Sequence, residues 1–223
     1  MIALRKGVEP QILVDNGAAW TQALLDRVEA GETPTSTEAT RYRHPQIKAA
    51  LVAETNNKCA YCESKLQHIH HGDVEHIFPK SLDLTQILSW SNLTLACEVC
   101  NQKKSDLDPN ANQLIDPYIQ DPREHFVFSG PFLFSLGTAA GIATKHILEL
   151  DRAQLIEQRR ERLKYIMSVY SEVLRNDIPL LARRAIYKNL INTEGAPTTA
   201  YSAMTQDIIA LMRDRVPPEV AAP

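Results

Sequence analysis

Apolar positions recur along this chain with two different periods, and the changes between them mark out its elements. In residues 18–30, Trp20, Leu24, Leu25 and Val28 fall on one stripe at helical spacing with Gly31 beyond them, which predicts a helix. The stretch from Gly31 to Thr40, rich in Thr, Ser and Pro, reads as a polar loop. Pro45 opens a second expected helix, running to about Thr55 with Ile47, Leu51 and Val52 inward. Residues 73–78 and 92–96 read as strands, and a short helix is expected from Lys103 until Asp106-Leu107-Asp108-Pro109 stops it. Past Asp116-Pro117, residues 125–128 and 132–136 alternate around Ser129-Gly130-Pro131, which predicts a hairpin. From Ala139 onwards the period is helical, in stretches of about 139–150, 151–174, 178–192 and 198–215.

In the longest of these, Leu155, Ile156, Leu163, Ile166, Met167 and Tyr170 form the expected buried stripe. Arg159, Arg160, Arg162 and Lys164 crowd the same helix and read as a solvated face paired with Glu157 and Glu161. The tail after Val216 is expected to fray. The class this implies is α+β: a helical segment over 1–56, a compact core over 57–116, and a hairpin followed by helices over 117–223.

Composition narrows the function classes. With 44% apolar and 23% charged residues over 223 positions, the chain is an ordinary globular one. No apolar run approaches the roughly 18 residues of a membrane helix, and Arg5, Lys6 and Glu9 interrupt the first residues, so a cytoplasmic protein is expected. The formal charge of −3 argues against a protein that grips nucleic acid over its whole surface. Any such contact is local. Residues 41–65 offer a candidate patch, with Arg41, Arg43, Lys48, Lys58 and Lys65 against Glu54 and Glu63.

The four cysteines change the picture most. All of them fall in two C-x-x-C pairs, Cys59/Cys62 and Cys97/Cys100. In a reducing compartment that spacing presents four thiolates to one tetrahedral ion. Zinc is the expected occupant, with rubredoxin-like iron, a redox pair or two unrelated knuckles as alternatives. Four thiolates leave no open position for a substrate, so the metal is structural and chemistry must come from elsewhere.

The 34 residues between the knuckles hold Asp73-Val74-Glu75-His76-Ile77-Phe78-Pro79-Lys80-Ser81 and Asn92-Leu93-Thr94-Leu95, and the second knuckle runs directly into Asn101-Gln102-Lys103-Lys104-Ser105-Asp106. Glu-His-Ile-x-Pro, a later Asn opening a strand, and C-x-x-C-N-x-x-K resemble the HNH nucleases of ββα-metal fold, in the branch braced by a four-cysteine zinc. The resemblance spans about Cys59 to Asp106. It implies that His76 is the general base, that Asn92 holds the His-bearing loop, that Glu75 and Asn101 ligate a catalytic metal, and that Lys103 or Lys104 contacts nucleic acid. A Glu carboxylate and an Asn carbonyl are hard oxygen donors suited to Mg²⁺ or Mn²⁺, and the unperturbed imidazole pKa of about 6.5 suits proton abstraction. Glu75 and His76 point to opposite faces of any regular strand, so bringing both to one site requires a strand end or a bulge. His68, His70 and His71 read as an exposed hairpin tip, Asp73 as a strand-end carboxylate, and His44, His125 and His146 as structural.

The flanks extend the likeness. Met1-Ile2-x-Leu4-x-Lys6-Gly7-x-x-Pro10, Tyr42-Arg43-His44-Pro45 and Thr144-x-x-Ile147-Leu148-x-Leu150 resemble the HNH subunits of Septu-type anti-phage systems, relatives of which serve some retrons. That resemblance implies an ABC/SMC-like ATPase partner, and this chain carries no phosphate-binding G-x-x-x-x-G-K of its own. The competing readings are a zinc-braced nucleic-acid- or protein-binding module without catalysis, and a self-sufficient restriction or homing enzyme. The second would want a DNA-reading element that the C-terminal helices do not display.

Overall fold

The computed structural model describes residues 1–66 and 72–222, so His68, His70 and His71 lie outside the described residues. Helix α1 runs Gln11–Glu29, starting well before residue 18. Pro10 holds the extended conformation that precedes a helix, and its carbonyl accepts from Leu13 at 2.8 Å. The buried positions are Leu13, Gly17 and Leu24, whereas Val28 is 47% exposed. Inside the stretch expected to be loop lies α2, Ser36–Thr40. It starts there because Thr35 and Glu38 form a reciprocal capping box, a signal that three-residue spacing carries and a low apolar content hides.

Helix α3, Pro45–Glu54, is capped by the His44 ring, whose Nδ1 accepts from Gln46 N at 3.3 Å, and it buries Ile47 and Leu51 completely. Strand β1, Asp73–His76, pairs antiparallel with β2, Leu93–Ala96, setting Glu75 opposite Thr94 and His76 opposite Leu93. Helix α4 follows at once as Glu98–Lys104, not from Lys103 as the apolar pattern suggested. The Cys97 Sγ accepts from Cys100 N at 3.4 Å at its start, so Asn101 sits in the helix body.

Strands β3, Phe126–Ser129, and β4, Phe132–Ser135, make the second hairpin, with Gly130 at φ +57 in the left-handed position of the turn. Helices α5 (Ala139–Ile147), α6 (Ala153–Leu174), α7 (Leu180–Asn189) and α8 (Ser202–Met212) complete most of the chain. The tail does not fray at Val216. It forms α9, Pro218–Ala221, with Val220 buried and the Glu219 carbonyl accepting from Arg184 Nε at 2.7 Å. The architecture is α+β, with two small antiparallel sheets among helices in the described residues.

One buried apolar cluster joins residues from Met1 to Val220, so the three segments expected from the sequence share a core. Helix α6 lends it Leu155, Ile166, Tyr170 and Val173, while Met167 is 41% exposed. Arg159, expected on a solvated face, is buried. Its Nη1 donates to Leu150 O at 2.8 Å and its guanidinium lies 5.0 Å over the Phe128 ring. A carbonyl and an aromatic face make that position tolerable for a cation.

Glu63, just after the first knuckle, ties three distant segments together. Its buried carboxylate accepts from Lys58 Nζ at 3.1 Å and from Ser202 Oγ at 2.6 Å, and it pairs with the Met1 amino group at 2.8 Å. Burial alone would raise its pKa, but the two neighbouring cations outweigh that and hold it at about 2. Because the folded carboxyl is the stronger acid, the unfolded chain takes up the proton first as pH falls below about 4.5. This carboxylate therefore stabilises the fold fully above that pH and stops doing so as pH approaches about 2. Glu63→Gln leaves two buried cations without their counter-charge. It should cost about 3–5 kcal/mol in urea unfolding at neutral pH, with a flatter decline of stability below pH 4.5 than the parent shows.

Candidate active site

The knuckles meet because both are anchored to the same strand. Ala60 N donates to Leu95 O at 2.9 Å, holding the first knuckle beside β2, and the second knuckle begins one residue after β2 ends. The Sγ atoms of Cys59, Cys62, Cys97 and Cys100 all lie within 4.8 Å of one another, and those of Cys62 and Cys97 are 3.8 Å apart. Bonds of about 2.3 Å from a tetrahedral zinc would set sulfur atoms roughly 3.8 Å apart, so the donor set and its spacing fit one such ion. The Arg152 guanidinium lies 3.8 Å from the sulfurs of Cys97 and Cys100, where it offsets part of the charge four thiolates accumulate.

On the other side of the sheet's end, β1 and α4 shape a pocket of about 270 Å³. Asp73 and Glu75 share one face of β1, two residues apart, and α4 lies against that face. Asn101 Nδ2 donates to Asp73 Oδ2 at 3.2 Å, and Lys104 Nζ reaches Glu75 Oε1 at 2.9 Å and the His76 carbonyl at 2.8 Å. His76 is the last residue of β1, and the strand is regular up to it. Its side chain turns the other way, with Nε2 3.0 Å from Ile87 O and the ring edge-on to Tyr42 at a centroid distance of 4.6 Å. The pocket wraps around the strand end, and so Glu75, His76 and Asn101 all line it despite the alternation.

Asn92 stands behind the pocket rather than in it. Its Oδ1 accepts from Phe78 N at 2.7 Å, and its Nδ2 donates to Phe78 O at 3.0 Å and Gln86 O at 3.2 Å. Those bonds pin both ends of the loop that carries Ile87, the residue whose carbonyl meets the His76 ring.

Residues 59–107 match the family model described as HNH endonuclease. This segment is an HNH domain. The chain is also similar to Septu protein PtuB of Bacillus thuringiensis, at 32% identity over 126 residues, and to Septu protein PtuB of Bacillus mycoides (strain KBAB4), at 27% over 203 residues. The first alignment covers 56% of this chain and 45% of the relative, the second 74% and 68%. The match thus spans less than half the length of the Bacillus thuringiensis protein.

Electrostatics inside the HNH domain sort its residues. Burial, reinforced by the ammonium groups of Lys80 and Lys104, holds the His76 imidazole down at about 4, against the pull of the Ile87 carbonyl. The ring is therefore neutral near pH 7. With Nε2 donating to that carbonyl, its Nδ1 keeps a lone pair. Glu75 is pushed up by burial, and the Lys104 ammonium partly offsets this.

Lys104 departs from the expectation that Lys103 or Lys104 contacts nucleic acid. It is buried between Glu75 and His76 and acts on the protein's own carboxylate. Lys103 is exposed and paired with Glu149. The basic patch over 41–65 divides in the same way. Lys58 serves Glu63, and Lys65 donates to the carbonyls of Asn56 and Thr198, so neither faces the pocket. Arg43 does face it, together with Tyr42 and Lys80. The last two were missed as site residues, although the Tyr-Arg-His-Pro and Pro-Lys-Ser strings that carry them stood out in the sequence.

Titrating metal-free protein with Co²⁺ should develop a thiolate-to-metal charge-transfer band at the tight site. Cys97→Ala should abolish that band and the cooperative melting of the domain. Unchanged absorption in the variant would remove Cys97 from the ligand set.

Proposed function

We propose that this chain is a metal-dependent endonuclease that hydrolyses phosphodiester bonds of nucleic acid, DNA in preference to RNA, and that it is the effector subunit of an anti-phage complex. The observation that carries the reading is the neutral His76 ring, held through Nε2 so that Nδ1 keeps its lone pair, at a pocket that Glu75 and Asn101 also line. His76 accepts the proton of the attacking water at Nδ1, and Ile87 keeps the tautomer that allows it. Asn92 fixes the loop so that the ring does not swing away.

Glu75 and Asn101 would hold a Mg²⁺ or Mn²⁺, their carboxylate and amide oxygens suiting a hard cation. When bound, that ion would neutralise charge on the phosphoryl oxygens and the leaving group. Lys104 offsets part of the burial that pushes Glu75 up and so favours the carboxylate form a ligand needs. Lys103, whose exposed pair with Glu149 is weak, is available to a backbone phosphate. The four cysteines hold zinc, which rigidifies the scaffold and takes no part in hydrolysis. Similarity to two proteins named Septu PtuB supports the defence role and, with it, an ABC/SMC-like ATPase partner. Among the described residues no helix is long and apolar enough to cross a membrane.

Nicking of supercoiled plasmid with Mg²⁺ or Mn²⁺, with and without the product of an adjacent ATPase gene, tests this. His76→Ala should lower the rate at least about 100-fold with unchanged circular dichroism and bound zinc; wild-type rates in that variant would rule out the mechanism. The pH profile offers a second check. Because the folded imidazole protonates only near pH 4, the acid limb of the rate should lie well below pH 6.5.

A further inference from the structure

The Tyr42-Arg43-His44-Pro45 string lies outside the 59–107 match, yet it enters the nuclease pocket. Tyr42 is 4% exposed, and two groups of the HNH domain meet on its ring. The His76 imidazole approaches at a centroid distance of 4.6 Å with an interplanar angle of 73°. The Lys80 ammonium sits 4.2 Å from the ring centroid and donates to the Tyr42 hydroxyl at 2.7 Å. The exposed Arg43 guanidinium lies 5.4 Å over the same ring.

A lysine side chain has four rotatable carbons and ordinarily sweeps a wide volume, so an ammonium held by a buried hydroxyl and an aromatic face is a placed charge. One of its three hydrogens goes to Tyr42, which leaves two for another acceptor. Across the pocket stand Asp73, Glu75 and Asp106, all acidic. The two walls are therefore of opposite sign. A phosphodiester bound there would meet cation-binding oxygens on one side and this ammonium on the other, with the His76 ring beside it.

We infer that Lys80 is a phosphate-binding residue of the nuclease site, and that Tyr42 is the positioning residue that aims it and braces the His76 ring, so that the segment before the HNH domain completes the pocket. This rests on the phosphodiesterase reading above but makes a binding claim that can be separated from it.

The test is calorimetric binding of thymidine 3′,5′-bisphosphate to the full-length, zinc-loaded protein, alongside plasmid nicking by the same samples. Lys80→Met should weaken binding at least about tenfold, and Lys80→Arg should recover most of the loss. Tyr42→Phe keeps the ring and loses the hydroxyl, so it should weaken binding about three- to tenfold. In the Lys80→Met background the Tyr42→Phe change should add nothing, a coupling that a purely structural role for the hydroxyl would not produce. His76→Ala should abolish nicking. Failure of the parent protein to bind the bisphosphate, or parent-like affinity in Lys80→Met, would overturn the inference. Additive losses from the two changes would overturn the part given to Tyr42. Lys80-dependent binding without any His76-dependent nicking would sink the nuclease reading and leave the phosphate site standing.

Discussion

Four sulfur atoms gathered within 4.8 Å of one another are the constraint from which the geometry of the pocket follows. Helix α4 has only seven residues, Glu98–Lys104, too few to persist in water alone. Its first turn is held by the cysteine cluster, and the register from that point is dictated by helical geometry. Asn101 follows Cys100 directly and faces Asp73, and Lys104, three residues further on the same side, meets Glu75. The cysteine cluster, and a metal that its four thiolates would share, therefore sets where the oxygen donors of the pocket stand.

Buried charge does the remaining positioning. Glu63 with Lys58, and Glu75 with Lys104, are ion pairs almost wholly withdrawn from solvent. Such pairs add little net stability over apolar packing, but breaking one is costly, so each admits a single arrangement of the segments it joins. The first joins the chain start, the knuckle and helix α8; the second joins strand β1 to helix α4. The His76 ring is handled differently. It is kept neutral by burial and oriented by the Ile87 carbonyl, on a loop that the amide of Asn92 holds at the neighbouring Gln86 and that the HNH match encloses.

The pocket is polarised as a result, with carboxylates and an amide on the α4 side and Lys80 on the Tyr42 side. An anion with a hard cation beside it suits that arrangement better than an apolar ligand would. In the proposed function, a chain with a net charge of −3 would meet a polyanion at this one site instead of over its whole surface.

What the chain's sequence determined on its own is whatever depends on short spacing. Two C-x-x-C pairs announce a shared thiolate cluster by their spacing, and the structure gathers all four sulfurs; Glu75, His76 and Asn101 took their expected roles from the HNH resemblance, and the structure brings the three to one pocket. Pattern failed where a local signal had competition. Thr35 and Glu38 start a helix in a stretch poor in apolar residues, and Pro10 opens α1 earlier than its apolar stripe announces. Tertiary structure alone decided the fate of the charged residues. Arg159 and Lys104 look in sequence like any solvated cation, yet each is buried by partners that folding brings from elsewhere, Leu150 and Phe128 for one and Glu75 and His76 for the other. Tyr42 and Lys80 stand 38 residues apart in the chain and meet only in the folded structure. Sequence spacing carries no record of such meetings, because burial and partner choice belong to the packed whole.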